Sequence, residues 1–143
     1  MIMTVKVTLV RGRYCQDEWA ANIELDESST LGDLHEAIQD AVKFDRDHLY
    51  CFYQSRTDRS GNREFLDEEN GRIFSEPLGA MFPLPAKQSL FYLFDWGDNW
   101  VFKITKSRKR PHAPVKGVTY PRMESELGKK PNQYSFEDEG DEE

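Results

Sequence analysis

Residues 93–100 read LFDWGDNW. Asp95 and Asp98 stand three apart across a glycine, with Trp96, Asn99 and Trp100 interleaved. Hard cations such as Mg²⁺ take oxygen ligands, and glycine lets backbone approach closely, so the spacing suits a small metal or substrate loop. His48 would add an imidazole to Asp95 and Asp98 in metal-assisted hydrolysis. A hairpin turn needs the same residues: Gly97 to supply a positive φ, and Asp or Asn to bond nearby amides. The turn is the stronger reading, with Trp96 and Trp100 as packing residues. His48 and Cys51 show an HxxC spacing without two further ligands, so no metal or cofactor is called for. His35, beside Leu34, reads as a boundary histidine ahead of a general base.

The second chemistry-bearing stretch is KITKSRKRPHAPVK, residues 103–116, with six Lys or Arg and no acid. Lys103, Lys106, Arg108, Lys109 and Arg110 could meet phosphates, with binding that weakens steeply in salt. No aromatics interleave as a base-stacking platform requires. A solvated strand end is therefore the simpler reading, and the chain's own acidic tail could neutralise it.

These residues sit in a chain of 143 with a formal charge of −7. Six of its 26 acids are Glu137, Asp138, Glu139, Asp141, Glu142 and Glu143; against 19 Lys and Arg the rest carries −1. A like-charged terminal block repels itself and buries nothing, so residues 137–143 read as a disordered acidic tail. The rest, 1–136, reads as one domain with a core built on 18 aromatics. Two cysteines without CxxC spacing fit reduced thiols. With no basic start before a long apolar run, and nowhere 18 consecutive apolar residues, a cytoplasmic protein without membrane association is expected.

The elements that must position the candidate residues follow from periodicity. Val5, Val7 and Leu9, then Trp19, Ala21, Ile23 and Leu25, alternate with polar or small neighbours, as in a half-buried hairpin. Leu31, Leu34, Ile38, Ala41 and Val42 form a helical stripe ending near Phe44. Thr30 and Asp33 are spaced as its capping box. HLYCFYQ reads as a strand covered on both faces. Residues 55–88 read as an irregular insertion, with Ile73 and Phe74 docking on the core. SLFYLF and WVFKITK are strands flanking the DWGDN turn, and the Pro- and Gly-containing segment after residue 107 should wrap the domain irregularly. Strand, strand, helix, strand and a late strand pair give an α+β class, as a β-grasp (ubiquitin-like) arrangement: a mixed sheet with one main helix.

Three segments carry a family resemblance. Leu31-Gly-Asp33-Leu34-His35, running on through Ile38, Gln39 and Ala41, is similar to an L-x-D-L-H-x-x-I-Q-x-A helix. His48-Leu49-Tyr50-x-Phe52 resembles an H-L-Y-x-F strand, and Phe94 to Trp100 resembles a Y-D-F-G-D-x-W turn. In this order they resemble the plasmid proteins named from open reading frame three of a root-inducing plasmid, also labelled insertion-element passenger proteins of the TnpR type. Two departures stand out. Lys43-Phe44 replaces a Gly-Trp pair, and a C-terminal Pro-Pro-Glu-Asp-x-Gly-Gly pattern is reduced to Pro131 and a distant EDEG. The resemblance implies a compact α+β domain and no established activity. Despite the TnpR label, the chain lacks a serine nucleophile ringed by arginines. The leading expectation is a non-enzymatic module that binds a protein partner, with a link to mobile elements, its exposed sheet edges open to strand addition. Nucleic-acid binding through 103–116 and metal-dependent hydrolysis at Asp95 and Asp98 are the alternatives.

Overall fold

A computed structural model of the chain describes residues 1–13, 15, 17–45 and 48–133. The 137–143 tail lies outside the described residues.

β1 (Ile2–Arg11) and β2 (Trp19–Asp26) pair antiparallel, with Met3 opposite Leu25, Val5 opposite Ile23 and Val7 opposite Ala21. The period-two pattern thus puts one apolar set on one face. α1 (Leu31–Val42) lies against that face and buries Leu31, Leu34, Ile38, Ala41 and Val42. Its start is fixed chemically: Thr30 Oγ1 accepts from the Asp33 amide at 3.3 Å, and Asp33 Oδ2 accepts from the Thr30 amide at 2.9 Å.

The helix ends at Val42, two residues earlier than the apolar pattern predicts, with Lys43 as its cap. Lys43 takes φ 62 and its amide donates to the Gln39 carbonyl at 2.9 Å, while Phe44 lies beyond the helix and remains buried. A left-handed lysine costs about 1–2 kcal/mol that glycine avoids. Lys43→Gly should therefore raise stability by about 1 kcal/mol and the thermal midpoint by about 3 °C, as thermal denaturation would show.

β3 (Tyr50–Ser55), β5 (Ser89–Phe94) and β6 (Trp100–Lys106) form as their patterns predict. The sheet they join differs from the expected one. Its order is β4-β3-β5-β6-β1-β2-β7, and every pairing is antiparallel. In a β-grasp the first strand lies parallel to the last in a mixed sheet; here β1 and β6 run antiparallel, with Val7 opposite Ile104 and Leu9 opposite Phe102. The fold is dominated by a seven-stranded antiparallel sheet, and the β-grasp assignment is wrong. The physical reason is that alternation specifies which face a strand buries and leaves open which strand lies beside it.

Two segments read as irregular hold further strands. The 55–88 insertion contains β4 (Glu64–Leu66), pairing with β3, and two single-turn helices, α2 (Arg72–Ser75) and α3 (Leu78–Met81). Ile73 is buried there and Phe74 is exposed. After residue 107 comes β7 (Arg122–Gly128), an edge strand with every residue exposed. Its end demands a glycine: Gly128 has φ 84, and a Cβ there would lie 2.1 Å from the Glu18 carbonyl oxygen.

The face opposite α1 carries a smaller cluster of Cys51, Tyr53, Phe91, Leu93 and Val101. The loop after β3 covers Tyr53, whose hydroxyl donates to the Asp58 carbonyl at 2.8 Å while the Arg63 guanidinium sits 4.3 Å over its ring.

Candidate functional site

The turn that joins β5 to β6 is built from its own polar groups. Asp95 Oδ1 accepts from the Gly97 amide at 3.0 Å and more weakly from the Asp98 amide at 3.4 Å, and the Asn99 amide closes the turn on the Asp95 carbonyl at 2.7 Å. The positive φ values belong to Asp95 (64) and Asn99 (52), so Gly97 does not have the role its residue type suggests. Asp and Asn tolerate that region because their short side chains bond local backbone.

The second Asp95 oxygen lies 3.5 Å from His48 Nδ1, and the Asp95 amide donates to the Leu49 carbonyl at 2.9 Å. Asp98 turns the other way: its carboxylate lies 3.4 Å from Arg13 Nη1 and its carbonyl accepts from the Arg13 amide at 2.8 Å. Asp95 and Asp98 therefore do not converge on a shared cation. Among the described residues no group of three or more His, Cys, Asp or Glu is arranged to hold a metal ion.

The turn does present something to solvent. Trp96 is 51% exposed, whereas Trp19 and Trp100 are 2% and 0% exposed. Trp100 anchors the turn in the core against Phe44, at 5.0 Å between ring centroids, and Trp96 does not pack as expected. Trp96 instead lines a cleft of about 670 Å³.

Four chain segments build this cleft. α1 contributes His35 and Glu36, the entry to β3 contributes His48 and Tyr50, and the loop after β4 contributes Asp67, Glu68 and Glu69. Reciprocal bonds set that acidic loop: the Asn70 amide donates to Asp67 Oδ1 at 2.8 Å and the Asp67 amide to Asn70 Oδ1 at 3.2 Å. Among the described residues no Lys or Arg lines the cleft. The Tyr50 hydroxyl is pushed well above the usual range, first by burial and then by the charge and hydrogen bond of Glu68 and the charge of Glu36. Cys51, which also lines the cleft, is pushed up to about 12 by burial and by Asp67, so its thiol stays protonated and is a poor nucleophile.

His35 is locked from behind. One helical turn apart on α1, His35 and Gln39 meet the same buried hydroxyl: His35 Nδ1 lies 2.6 Å from Tyr92 Oη, and Gln39 Nε2 donates to it at 2.9 Å. The imidazole stacks on Tyr50 with centroids 3.5 Å apart and interplanar angle 4°. Its Nε2 edge is left 3.7 Å from Glu36. The site thus joins the stacked rings of His35 and Tyr50 and the exposed ring of Trp96 with the carboxylates of Glu36, Asp67, Glu68 and Glu69 in one cleft. Such a cleft attracts cations through the negative faces of its rings and through Coulomb attraction to its carboxylates.

The predicted basic residues have different surroundings. Lys103 and Lys106 stand exposed at the end of β6, while Lys109 turns to Glu24 at 3.8 Å. Arg108 and Arg110 are exposed. Glu24, buried on β2, also accepts from Arg122 at 2.6 Å and lies 3.2 Å from His112 Nε2. Burial alone would raise its carboxyl; hydrogen bonds from His112 and Arg122, with the charges of Arg122 and Lys109, hold it below its ordinary range. Part of the basic run is therefore a strap that fastens β7 and the segment before it to the sheet.

Fold and site together define a class: a helix-backed antiparallel sheet carrying an aromatic, acid-lined cleft. The chain belongs to the plasmid pRiA4b ORF-3-like protein family, whose profile matches residues 2–134. It is similar in structure to a protein of unknown function, MM3350 from Methanosarcina mazei Go1, with TM-score 0.67 and 24% identity over 87% of this chain and 68% of that chain. That likeness establishes a shared fold. No curated protein matches the chain. Among the described residues no helix is long and apolar enough to cross a membrane.

Sequence reasoning found Trp96, His48 and His35 but not what they face. The acidic loop falls in a polar, aperiodic stretch, and Tyr92 reads as ordinary strand core. The adjacent acids of LDEEN are the only signal in that stretch, and they read equally well as solvated surface.

Proposed function

We propose that the protein is a non-enzymatic binding module of the cytosol that takes a cationic segment of a partner protein into the cleft lined by Trp96. The observation that supports this reading is a half-exposed tryptophan that lines one cleft with four acids, Glu36, Asp67, Glu68 and Glu69, on a turn whose own aspartates are engaged elsewhere. An arginine or lysine side chain entering the cleft would stack on Trp96 and meet the cleft's carboxylates. Arginine suits it better, because a planar guanidinium stacks on rings and bonds carboxylates in pairs. The hydrolase alternative loses its support because Asp95 is bonded to its own turn amides and Asp98 faces Arg13.

Calorimetric titration with a blocked arginine-rich peptide tests the reading. Affinity should fall about tenfold in Trp96→Ala, the size of a partly desolvated cation–π contact. The double variant Glu68→Gln, Glu69→Gln should bind more weakly and with a flatter salt dependence. Equal binding of a neutral peptide of the same length, or unchanged affinity in Trp96→Ala, would exclude it.

A further inference from the structure

A second cleft, of about 490 Å³, lies on another part of the surface, between the segment after α3 and the end of β6. Lys87, Lys103 and Lys106 line it together with Ser89 and Thr105, and Phe82 and Leu84 form an apolar wall. Among the described residues no carboxylate lines it. The register adds a fourth cation beside it, because Lys6 on β1 stands opposite Thr105 and Lys103 stands opposite Thr8. Lys6 and Lys103 are therefore diagonal neighbours on one face, about 7 Å apart, where like charges destabilise the pair.

Among the described residues, no carboxylate lies within 4.0 Å of any of the four ammonium groups, although Arg11, Arg13, Arg72, Lys109, Arg122 and Lys130 all have such partners. This local positive field is complementary to a multiply charged anion. Lysine meets phosphate as a point charge with three donors, and the serine and threonine hydroxyls add neutral ones.

We propose that this cleft binds ligands with clustered phosphate groups, whose oxygens bond Lys87, Lys103 and Lys106 while Phe82 and Leu84 pack against the organic part. The site is separate from the Trp96 cleft and does not depend on its function. It also differs from the linear 103–116 run: Lys87 comes from another segment, and Lys109 is engaged by Glu24.

The phosphates could be free or part of a nucleic-acid backbone, so the test has two arms, both on the full chain at low salt: calorimetry with pyrophosphate and fluorescence anisotropy with a short single-stranded oligonucleotide. Binding by pyrophosphate alone identifies a free phosphate ligand; binding by the oligonucleotide, with log K falling against log salt at a slope near −2 for about three contacts, identifies a backbone. In either arm the variant Lys87→Gln, Lys103→Gln, Lys106→Gln should lose at least about tenfold in affinity, a modest loss for three phosphate contacts. A control with Lys116→Gln and Lys129→Gln should keep it. These lysines are exposed, so the variants should fold. No binding of either probe, or equal binding by the triple variant and the control, would overturn the proposal.

Discussion

Truncation of Trp100 to alanine should lower unfolding stability by about 3–5 kcal/mol, while the same change at Trp96 should alter it by less than about 0.5 kcal/mol. The two rings flank one turn and differ in what surrounds them. Trp100 is fully buried and packs edge-on against Phe44. Gly12 leaves room for it, since a Cβ there would lie 2.2 Å from the indole. Removing that ring leaves a cavity that neighbouring strands cannot close. Trp96 is half exposed, so its loss uncovers little. Chemical denaturation of both variants, read by circular dichroism because the change removes a fluorophore, checks the contrast. If Trp96→Ala were as damaging as Trp100→Ala, the exposed ring could not be free to serve a ligand.

The second large effect lies at Glu24. Replacing this buried carboxylate by alanine should cost about 2–3 kcal/mol, the scale of hydrogen bonds to a charged group. The fuller penalty of a stranded buried charge does not apply, because Arg122, His112 and Lys109 are each about a third to a half exposed and rehydrate. Hydrogen exchange should report the loss chiefly in 107–128, the segment that Glu24 fastens.

The pH dependence follows from the depressed native carboxyl of Glu24. Above the ordinary glutamate range the group is charged in both states, and its contribution is fully present. As pH falls, the unfolded chain takes the proton first, and the contribution disappears as pH passes through the lower native value. Wild type and Glu24→Gln should therefore differ most near neutrality and converge in acid. Asp26 and Glu126 are depressed as well, so the comparison must be made between variants.

What could be read from the sequence divides along physical lines. Val5, Val7, Trp19 and Ile23 declare their strands because apolar residues alternate with polar or small ones, and Thr30 with Asp33 declares the start of α1 by local bonding alone. β7 was invisible because none of its residues is buried, so Arg122 to Gly128 carry no alternation to detect. The strand order was equally hidden: nothing in Leu90 or Ile104 says that β6 will lie beside β1. At the turn, residue types predicted the right bonds and the wrong φ, since Asp95 and Asn99 take the left-handed region in place of Gly97. The cleft was legible only in pieces. His35, His48 and Trp96 each have a bland reading alone, and their partners Glu68, Glu69 and Tyr92 come from segments that only the folded sheet brings near. Lys109 shows the reverse case, a residue that looked available and is engaged by Glu24.

The most direct measurement is the intrinsic tryptophan fluorescence during titration with the arginine-rich peptide. Trp19 and Trp100 are buried, so Trp96 should carry most of the ligand-dependent signal. A saturable change in intensity and emission maximum, protection of the fluorescence from acrylamide, and loss of both in Trp96→Phe are the predicted results. Saturable peptide binding that leaves Trp96 emission and its accessibility to acrylamide unchanged would contradict the account, because the segment would then be held somewhere other than this cleft.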